Sequence, residues 1–551
     1  MKNFKKYELK CNRLNNLGQG VALFNKKEIT VPYFLPKEVG IVEVENRNDV
    51  TKGKLVKLIK ESNIRHNTSC GVYQKCGSCH LLHMKYEEQL NYKKELVESY
   101  FKKEKVNATF KEVIASEFKT NYRNKMQVAY KLKDNKIFYG FYEEDSHRVI
   151  PFEKCLVQTD KQNEICKTVA LIMKELKIAP YNEDRRIGVI RFVLIREAFK
   201  TNQILVTIVT NGEMFPGRNE FVKRLKNKCP YITTIIQNYN SRKTSIILGD
   251  QERVLYGPGY IEDILCGIKF KLSSKTFYQV NPLQAEKLYN KALEFANFSK
   301  DDIIIDAYCG VGTIGMVASK NVKEVYGVES NKTSVKYARD NAYENKIKNI
   351  RFVNQDATEY LVELAKEKIK VDGVIMDPPR SGSTPAFLNS LKVLKPKKIV
   401  YISCGPDTLA RDLKYLVDEY KITNTALVDM FVGTYHVETV VLLSHKSNNS
   451  KVNINLNFDN EKGKKLIKKV VEDVDSRKEP EGASYPEIKE YILNKYNVKV
   501  SSLNIAQIKT KYGIIERECY NKPKSENSRQ PNCTKEKEEM IVDALKHFKM
   551  I

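Results

Sequence analysis

The sequence has no long apolar run and no leader-like start. No run of apolar residues approaches the roughly 18 that a membrane-spanning helix needs, which excludes a transmembrane helix. Residues 1–6 have no apolar stretch behind them, so we expect no secretory signal. These absences predict a cytoplasmic protein with no membrane partner. Because that compartment is reducing, the twelve cysteines are not expected to form disulfides, and some of them need another role.

Acidic residues are too few to balance the basic ones. The 551 residues include 94 Lys and Arg against 68 Asp and Glu, which gives a formal net charge of +26. A chain this basic is expected to bind a polyanion, and RNA, DNA and an anionic membrane are the candidates. Apolar residues make up 42% of the chain, which excludes wholesale disorder. At this length we expect three or four domains.

The first 60 residues have the pattern of a small antiparallel β-barrel. Short apolar runs at 21–24, 29–31, 39–44 and 54–59 are separated by Gly and Pro, as in an OB-like barrel. The segment contains 13 Lys and Arg against 6 Asp and Glu. One interpretation is therefore a basic RNA-binding platform, and the alternative is an ordinary solvated surface in a lysine-rich protein.

Three further regions and a linker complete the predicted organisation. Residues 61–270 predict a mixed α+β central domain with a cysteine cluster near its start. Residues 271–446 alternate strands and helices in the way of a doubly wound, Rossmann-like α/β sheet. A polar linker at 447–480 then leads to a small helical module at 481–551.

The C-terminal module has the pattern of two short helices joined by a brief turn. A capping box at 484–487 opens the first helix, in which Ile488, Ile492 and Leu493 share one face. Ser502 is the predicted cap of the second helix, which Gly513 ends. The spacing is typical of a helix-turn-helix-like unit. Nucleic-acid binding and a simple structural role remain equal alternatives for it.

Residues 303–329 have the pattern of a nucleotide-binding α/β unit. A buried strand ends in Asp306, a Gly-x-Gly turn follows at 310–312, and the next strand ends in Glu329. Glycines at such a turn let the backbone approach a ligand, and an acid after the second strand can accept from ribose hydroxyls. There is no third glycine at the dinucleotide spacing and no Gly-Lys-Ser/Thr phosphate loop. The order of elements favours S-adenosylmethionine over NAD.

Two later strands end in further carboxylates. Asp356 follows the third strand, where a polar side chain can reach the amino group of adenine. Asp377 ends the fourth strand in the string Asp-Pro-Pro-Arg380, next to the place that the methyl group would occupy. The alternative for Asp-Pro-Pro is a rigid loop terminator.

The fifth and last strands offer a nucleophile and a base. Cys404 follows the fifth strand and precedes a helix, whose dipole is expected to favour the thiolate. Glu438 lies at the mouth of the final strand. Carbon 5 of a pyrimidine is not nucleophilic until a thiolate adds to carbon 6, and a base must then remove the carbon 5 proton. The pair predicts methylation of a pyrimidine carbon. The alternatives are that Cys404 is a buried, inert cysteine and that Glu438 is simply a solvated acid.

The cysteine cluster has the spacing of a ligand set. Cys70, Cys76 and Cys79 are separated by five and two residues, and Cys155 follows 76 residues later. Three clustered thiolates and a distant fourth can hold zinc or an iron–sulfur cluster, and spacing alone does not decide between them. The nearby His80 and His83 are interpreted as ordinary loop residues.

These motifs together resemble the bacterial RNA uracil-5-methyltransferase family, most closely its ribosomal RNA branch. The matching strings span residues 1–446, and they are Cys70-x5-Cys76-Gly-Ser-Cys79, Phe277-Tyr-Gln-Val-Asn281, Asp306-Ala-Tyr-Cys-Gly-Val-Gly-Thr313, Asp377-Pro-Pro-Arg-Ser-Gly382, Ser403-Cys-Gly-Pro406 and His436-Val-Glu438. Two departures are the segment 431–434, which lacks the proline and the basic residue often found there, and the tail after about 451.

The resemblance implies a domain order, cofactors and residue roles. It implies an RNA-binding TRAM barrel, a 4Fe–4S cluster, a central domain and a methyltransferase domain. Cys404 would be the nucleophile and Glu438 the base. Phe277 would stack near the target uracil, and Arg123 would contact RNA. The residues implied for S-adenosylmethionine are Gln279, Tyr308, Glu329, Asp356 and Asp377, and those implied for the cluster are Cys70, Cys76, Cys79 and Cys155.

The sequence therefore predicts a monomeric 23S ribosomal RNA (uracil-C5)-methyltransferase that produces 5-methyluridine. Three alternatives remain. A non-catalytic RNA-binding factor with a relic fold predicts losses among the motif residues, and none is lost. The tRNA branch generally lacks both the barrel and the cysteine cluster. A base-nitrogen methyltransferase would not need Cys404 and usually has an aromatic residue where Arg380 stands.

Overall fold

The computed structural model describes residues 4–446 with gaps at 46–50, 144–145 and 244–245, and residues 485–496, 498–512, 533–548 and 550. The chain divides into two units, Met1–Asn448 and Asn449–Ile551. No described helix combines the length and the apolar character that a membrane crossing requires. The predicted cap Ser484 and the predicted stop Gly513 lie outside the described residues.

An antiparallel five-stranded sheet forms the N-terminal barrel-like domain. Its strands, in chain order, are β1 Phe4–Leu14, β2 Gly20–Phe24, β3 Lys27–Val31, β4 Val39–Glu45 and β5 Gly53–Lys60. The strand order is β3-β2-β1-β4-β5. A bridge between Thr30 and Lys52 brings the two edges of the sheet together. The sheet closes around buried apolar residues that include Cys11, Phe24 and Phe34.

Four of these strands coincide with the predicted apolar runs, and β1 is an addition. The apolar residues of β1 are separated by lysines and other polar residues, so β1 has no apolar run from which a strand could be predicted. Its long pairing with β4 and its bulged pairing with β2 make it the central strand of the sheet.

The helix that follows the cysteine segment packs on the methyltransferase sheet. This helix is α1, Tyr86–Lys103, and the short strand β6, Glu112–Ile114, comes after it. Val97 and Phe101 of α1 are buried in one core with Ile305 and Leu413 of the methyltransferase region. β6 pairs in parallel with the edge of that region's sheet.

The central region is a seven-stranded sheet with two helices. The elements are β7 Lys125–Lys133, β8 Lys136–Tyr142, β9 Val149–Pro151, α2 Asp160–Glu175, β10 Ile190–Glu197, β11 Ile204–Thr210, α3 Arg218–Lys228, β12 Thr234–Tyr239 and β13 Gln251–Tyr256. The strand order is β13-β12-β11-β10-β7-β8-β9. A separate hairpin, β14 Ile261–Leu265 and β15 Ile268–Leu272, then leads to the third region.

The third region is a doubly wound, eight-stranded sheet. The elements are α4 Pro282–Ala296, β16 Ile303–Ala307, α5 Thr313–Ala318, β17 Glu324–Glu329, α6 Lys332–Glu344, β18 Ile350–Asn354, α7 Ala357–Glu367, β19 Gly373–Met376, α8 Pro385–Leu394, β20 Lys398–Ser403, α9 Pro406–Leu416, β21 Tyr420–Val428 and β22 Glu438–His445. The order is β18-β17-β16-β19-β20-β22-β21-β6. β16 to β20 are parallel, and β22 is antiparallel to both of its neighbours. This confirms the predicted α/β class.

The second unit contains three described helices, one more than the sequence predicted. They are α10 Tyr485–Tyr496, α11 Ser502–Lys511 and α12 Lys535–His547. Ile488 and Ile492 are fully buried in their common core, whereas Leu493 is 37% exposed. The cap of α11 is Ser501 rather than Ser502, because the Ser501 hydroxyl accepts from the amide of Asn504 at 3.1 Å.

Candidate active site and cysteine cavity

The carboxyl ends of the parallel strands meet at one edge of the third sheet. Tyr308 follows β16, Glu329 ends β17, Asp377 follows β19 and Cys404 follows β20. Each of these strands has buried apolar residues in its middle, and a polar residue lies at or next to its end. In sheets of this kind the crevice outside the strand ends is where ligands bind.

The turn after β16 keeps its backbone open toward that crevice. Tyr308 adopts φ +63° and Gly312 adopts φ +78°, both in the left-handed region. A Cβ on Gly312 would lie 2.6 Å from the ring of Phe352, so only glycine fits there. The buried Asp306 carboxylate accepts from the Gly315 amide at 2.8 Å and ties the turn to the first turn of α5.

Hydrogen bonds fix the acids that follow β17 and β18. Glu329 accepts from the amide of Gly310 at 3.1 Å and from that of Asn331 at 2.7 Å. Asp356 is the N-cap of α7 and accepts from the amides of Thr358 and Glu359. Both carboxylates are thus held at the sheet edge by backbone donors.

Cys404 and Glu438 lie next to each other because of strand register. Ser403 at the end of β20 pairs with Thr439 of the antiparallel β22. The next residue along β20 and the preceding residue along β22 are Cys404 and Glu438, so they are neighbours at the same edge. Met376, the residue before Asp377, pairs with Tyr401 of β20, which brings that carboxylate to the same place.

Burial among like charges shifts the protonation of all three groups. Burial, followed by the charges of Glu438 and Asp377, raises the pKa of the Cys404 thiol to about 11, against a smaller opposing effect of Arg380. Burial and Asp377 raise the pKa of Glu438 to about 8, and burial raises that of Asp377 to about 7. The expectation that the helix dipole leaves Cys404 with a low pKa is wrong here, since burial and the carboxylates outweigh it.

A cavity of about 200 Å³ opens over Cys404. This is several times the roughly 30 Å³ that one water molecule occupies in the liquid. The cavity is lined by Arg380, Tyr435 and His436, and also by Asn16 and Leu17 of the N-terminal barrel. The Arg380 guanidinium contacts Nδ1 of His436 across it. No sequence pattern points to Asn16 and Leu17 as part of this site, because they lie far from Cys404 along the chain.

Gln279 reaches a buried tyrosine that the sequence analysis missed. Tyr289 of α4 is 4% exposed, and its charge interactions involve Asp377, Glu438 and Asp306. Burial raises the pKa of Tyr289, and a hydrogen bond with Gln279 opposes that rise. Tyr289 shares the apolar face of α4, so its position predicts a core residue. Only the fold shows that it touches the strand ends.

The two residues expected to touch RNA lie in different surroundings. Phe277 is 66% exposed, which leaves its ring available to stack on a base. Arg123 instead lines the cavity of the cysteine cluster, and its buried Nε has no hydrogen-bond partner among the described residues. Its role as an RNA contact stays a prediction.

The four predicted ligand cysteines line one cavity. Cys70, Cys76, Cys79 and Cys155 surround a space of about 280 Å³. Burial and the other three thiols raise the pKa of Cys79, and Arg123 opposes this. Within the described ranges, no three His, Cys, Asp or Glu side chains come close enough to hold a metal ion. The four thiols therefore share the lining of one cavity but do not converge on a single point.

His80 and His83 lie outside this cavity lining. His83 is buried and its Nδ1 shares a hydrogen bond of 2.6 Å with the Tyr73 hydroxyl. The amides of His80 and Leu81 both donate to the carbonyl of Gly433 at 2.8 Å. The cysteine segment therefore holds the loop that leads into Glu438.

That loop, residues 429–437, is also fastened to α1. Lys93 and Asp429 form a fully buried ion pair with Nζ and Oδ1 2.5 Å apart. Lys93 also donates to the carbonyl of Phe431 at 3.1 Å, and Gln89 accepts from the amide of Gly433 at 3.0 Å. The Asp429 carboxylate accepts in addition from Tyr86 at 2.8 Å. The segment that departs from the family pattern is thus rigidly built.

Comparison with known proteins gives a family match over the same region. The model of the tRNA (uracil-5-)-methyltransferase family matches residues 85–446. RNA methyltransferases of Caldanaerobacter subterraneus and Clostridium acetobutylicum, both described as uncharacterized, are each 38% identical to this chain. The alignments cover 80% and 79% of this chain and 98% and 96% of the relatives.

A solved structure has the same fold over most of the first unit. The crystal structure of Pyrococcus abyssi tRNA (uracil-54, C5)-methyltransferase in complex with S-adenosyl-L-homocysteine is 27% identical, with a TM-score of 0.65. The match covers 79% of this chain and 99% of that one. The matched family region ends at residue 446, before the second unit begins.

Proposed function

This chain belongs to the S-adenosylmethionine-dependent RNA uracil-5-methyltransferase family, and we propose that it methylates carbon 5 of a uridine in 23S ribosomal RNA. The observation that carries the proposal is the strand register that sets Cys404, which lines the cavity, beside the buried Glu438. A thiol and a carboxylate so placed fit the two demands of carbon 5 chemistry, a nucleophile for carbon 6 and a base for the carbon 5 proton.

The proposed reaction begins when the target uridine is flipped into the cavity. The Cys404 thiolate forms a bond to carbon 6, and the electron pair of the C5–C6 double bond moves toward carbon 5 and the O4 enolate. Carbon 5 then takes the methyl group and S-adenosylhomocysteine leaves. Glu438 removes the carbon 5 proton, the double bond re-forms, and the Cys404 thiolate departs. Atoms and electrons balance without a further reactant.

The cofactor is proposed to lie along the strand ends beside this pair. Glu329 would accept from the ribose hydroxyls, Asp356 would reach the adenine, and Tyr308 would contact the cofactor from the turn after β16. Gln279 and Asp377 would lie nearest the methyl group. Support comes from the positions of these side chains at one sheet edge and from the backbone donors that fix Glu329 and Asp356.

The choice of ribosomal RNA rests on two features of the N-terminal part. The barrel-like domain is basic, and its loop at residues 16–17 lies on the Cys404 cavity. The four-cysteine cavity is the second feature, because the tRNA branch of the family generally lacks it. The Pyrococcus relative is a tRNA enzyme, so tRNA is the competing substrate, and a direct comparison decides between them.

A 4Fe–4S cluster is proposed for the cysteine cavity. Four thiols around about 280 Å³, beside the Arg123 guanidinium with its unpartnered Nε, fit a bulky anionic group better than a single ion. Cys70, Cys76, Cys79 and Cys155 would hold it, and its anticipated contribution is structural. Iron and sulfide analysis of anaerobically purified protein tests this proposal. Cys79→Ser should lower both contents together, whereas Cys166→Ser, a buried cysteine outside the cavity, should leave them unchanged.

The activity is tested with unmodified transcripts of 23S RNA and tRNA and with radiolabelled S-adenosylmethionine. We expect 5-methyluridine in the 23S transcript and none in tRNA. In RNA that contains 5-fluorouridine the base cannot lose a proton from carbon 5, so a covalent complex should accumulate with the wild type and not with Cys404→Ala. An undiminished complex with Cys404→Ala contradicts the mechanism. Label in tRNA alone contradicts the substrate.

A further inference from the structure

The loop between β1 and β2 is built into the wall of the Cys404 cavity. We propose that this loop, residues 15–19, presents Leu17 as a wedge that fills the gap left in the RNA stack when the target uridine is flipped. The proposal rests on the proposed RNA methylation. It adds a residue of the N-terminal barrel that contacts the substrate directly and helps to select a uridine embedded in structured RNA.

The loop is rigid through its own hydrogen bonds. The Asn15 carboxamide oxygen accepts from the amides of Leu17 at 3.0 Å and Gln19 at 2.9 Å. The Asn15 amide donates to the Gln19 carbonyl at 2.8 Å, and Gly18 donates to the Asn15 carbonyl at 3.1 Å. Four of the five backbone amides of residues 15–19 therefore donate hydrogen bonds within the loop, which holds the backbone that carries Leu17 in one turn conformation.

The loop is also anchored to α1 beside the active site. The Tyr92 hydroxyl donates to the Asn15 carbonyl at 2.8 Å, and the side-chain Nδ2 of Asn16 donates to the Tyr100 hydroxyl at 3.0 Å. Gly18 adopts φ +71° and packs so closely that a Cβ there would lie 2.6 Å from Leu81 Cδ2. The barrel loop and the Cys404 cavity are thus parts of one rigid wall.

Leu17 has no core to fill at this position. Its side chain is 42% exposed and lines the same cavity as Cys404. A single exposed leucine is ordinary on a protein surface, but this one belongs to an anchored loop that lines the cavity into which the target base must be flipped. Enzymes and architectural proteins that unstack nucleic acids insert apolar wedges such as Leu between bases. The wedge offsets part of the unstacking cost of a flipped base.

A second cavity continues from the first and offers a path for the displaced strand. It has a volume of about 690 Å³, shares Asn16, Leu96 and Tyr100 with the Cys404 cavity, and lies between the barrel and α1. Its walls are rich in amide and phenol groups, which can hydrogen-bond to bases and sugars and stack on them. Leu17 would lie at the point where the flipped uridine turns from the second cavity into the Cys404 cavity.

The test compares Leu17→Ala with the wild type on two forms of one RNA. The first is the folded, unmodified 23S transcript, and the second is a short unstructured oligonucleotide that contains the same uridine. Because a wedge matters only when a stack must be opened, kcat/KM should fall about tenfold on the folded RNA and less than about twofold on the oligonucleotide. Leu17→Met, which keeps the apolar volume, should restore the activity on folded RNA.

Leu23→Ala is the matched control, since Leu23 is 54% exposed on the same barrel but does not line the cavity. It should behave as the wild type on both RNAs. If Leu17→Ala lowers kcat/KM equally on both RNAs, or on neither, the proposal that Leu17 acts as a wedge is wrong. If the wild type labels tRNA instead of 23S RNA, the same comparison is made with a folded tRNA transcript and its fragment. In that case the 23S substrate proposal is wrong, and the comparison on tRNA still tests the role of Leu17.

Discussion

Burial is the largest influence on the pKa of the Cys404 thiol, and it opposes ionisation of the sulfur. Glu438 and Asp377 oppose its ionisation, and Arg380 favours it. The thiol of the free protein is therefore protonated near neutral pH. A cationic cofactor changes this balance, because the sulfonium of S-adenosylmethionine would bring a positive charge next to Asp377. Nucleophile activation would then depend on the presence of the methyl donor.

The Cys404 thiol should become more acidic when S-adenosylmethionine binds. Its alkylation by iodoacetamide, followed by mass spectrometry of the Cys404 peptide, should titrate near pH 11 in the free protein and at a distinctly lower pH with S-adenosylmethionine. S-adenosylhomocysteine has a neutral sulfur and is the matched control, so it should shift the midpoint much less. Equal shifts with both compounds contradict the charge argument.

The rate at which methylated RNA is released from Cys404 should rise with pH through about 8. Burial and Asp377 raise the pKa of Glu438 to about 8, so below that value the carboxyl is protonated and cannot accept the carbon 5 proton. Single-turnover measurements of free 5-methyluridine RNA between pH 6 and 9 follow this step. Glu438→Gln should abolish turnover and leave RNA covalently attached to the protein. A flat profile would show that Glu438 is not the base whose ionisation limits the rate.

At the scale of elements, helix α1 acts as a clamp on the loop that ends in Glu438. The Lys93–Asp429 pair joins residues 336 positions apart and is fully shielded from water. Removing one partner of such a pair leaves an uncompensated buried charge, whereas replacing both by apolar residues is often nearly neutral. The clamp therefore contributes to the placement of Glu438 as well as to folding.

Lys93→Met should lower the free energy of unfolding by about 3–5 kcal/mol in urea titrations. The adjacent pair Lys94–Glu98 is exposed, with its charged atoms 4.0 Å apart, so Lys94→Met should change stability by less than about 0.5 kcal/mol. The double variant Lys93→Met/Asp429→Leu should recover most of the loss, though not all, because the Tyr86 hydroxyl loses its acceptor. If Lys93→Met is as mild as Lys94→Met, the clamp has no energetic role.

Strands with a continuous apolar run could be predicted from the sequence. Elements whose buried residues are separated by charged residues could not. The strands β16, β17, β19 and β20 end within one residue of the predicted positions, because a polar residue lies at or next to the end of each buried run. By contrast, β1 and α12 carry their buried residues between lysines and glutamates. Three features of the site depend on contacts between distant segments, which one sequence does not reveal. They are the Lys93–Asp429 pair, the place of Tyr289 beside the strand ends, and the part of the cavity lining formed by residues 16–17.

At the scale of the whole molecule, the first unit contains every element that the proposed reaction uses. The family match ends at residue 446 and the first unit ends at Asn448. The core of the second unit, including Ile488, Ile505 and Ile541, is made of its own three helices. Its role stays open, since nothing in its described residues identifies a ligand.

A chain that ends at Lys446 should fold and methylate RNA. We expect the first unit to show the same thermal transition in the truncated protein as in the full chain. The single-turnover rate on the 23S transcript should agree between the two proteins within about twofold. The Michaelis constant for RNA is the quantity on which the second unit can act, and its salt dependence should be compared between the two proteins. A truncated protein that aggregates or cannot bind S-adenosylmethionine contradicts the division into two units.

The antiparallel strand β22 has a wider consequence for how such an enzyme can change. Since a backbone ladder fixes the spacing between the sulfur and the acid that work on the pyrimidine, mutations in the outer loops cannot easily disturb it. Recognition of a new RNA can thus be acquired piece by piece, by exchanging the surfaces that surround an unchanged reaction centre.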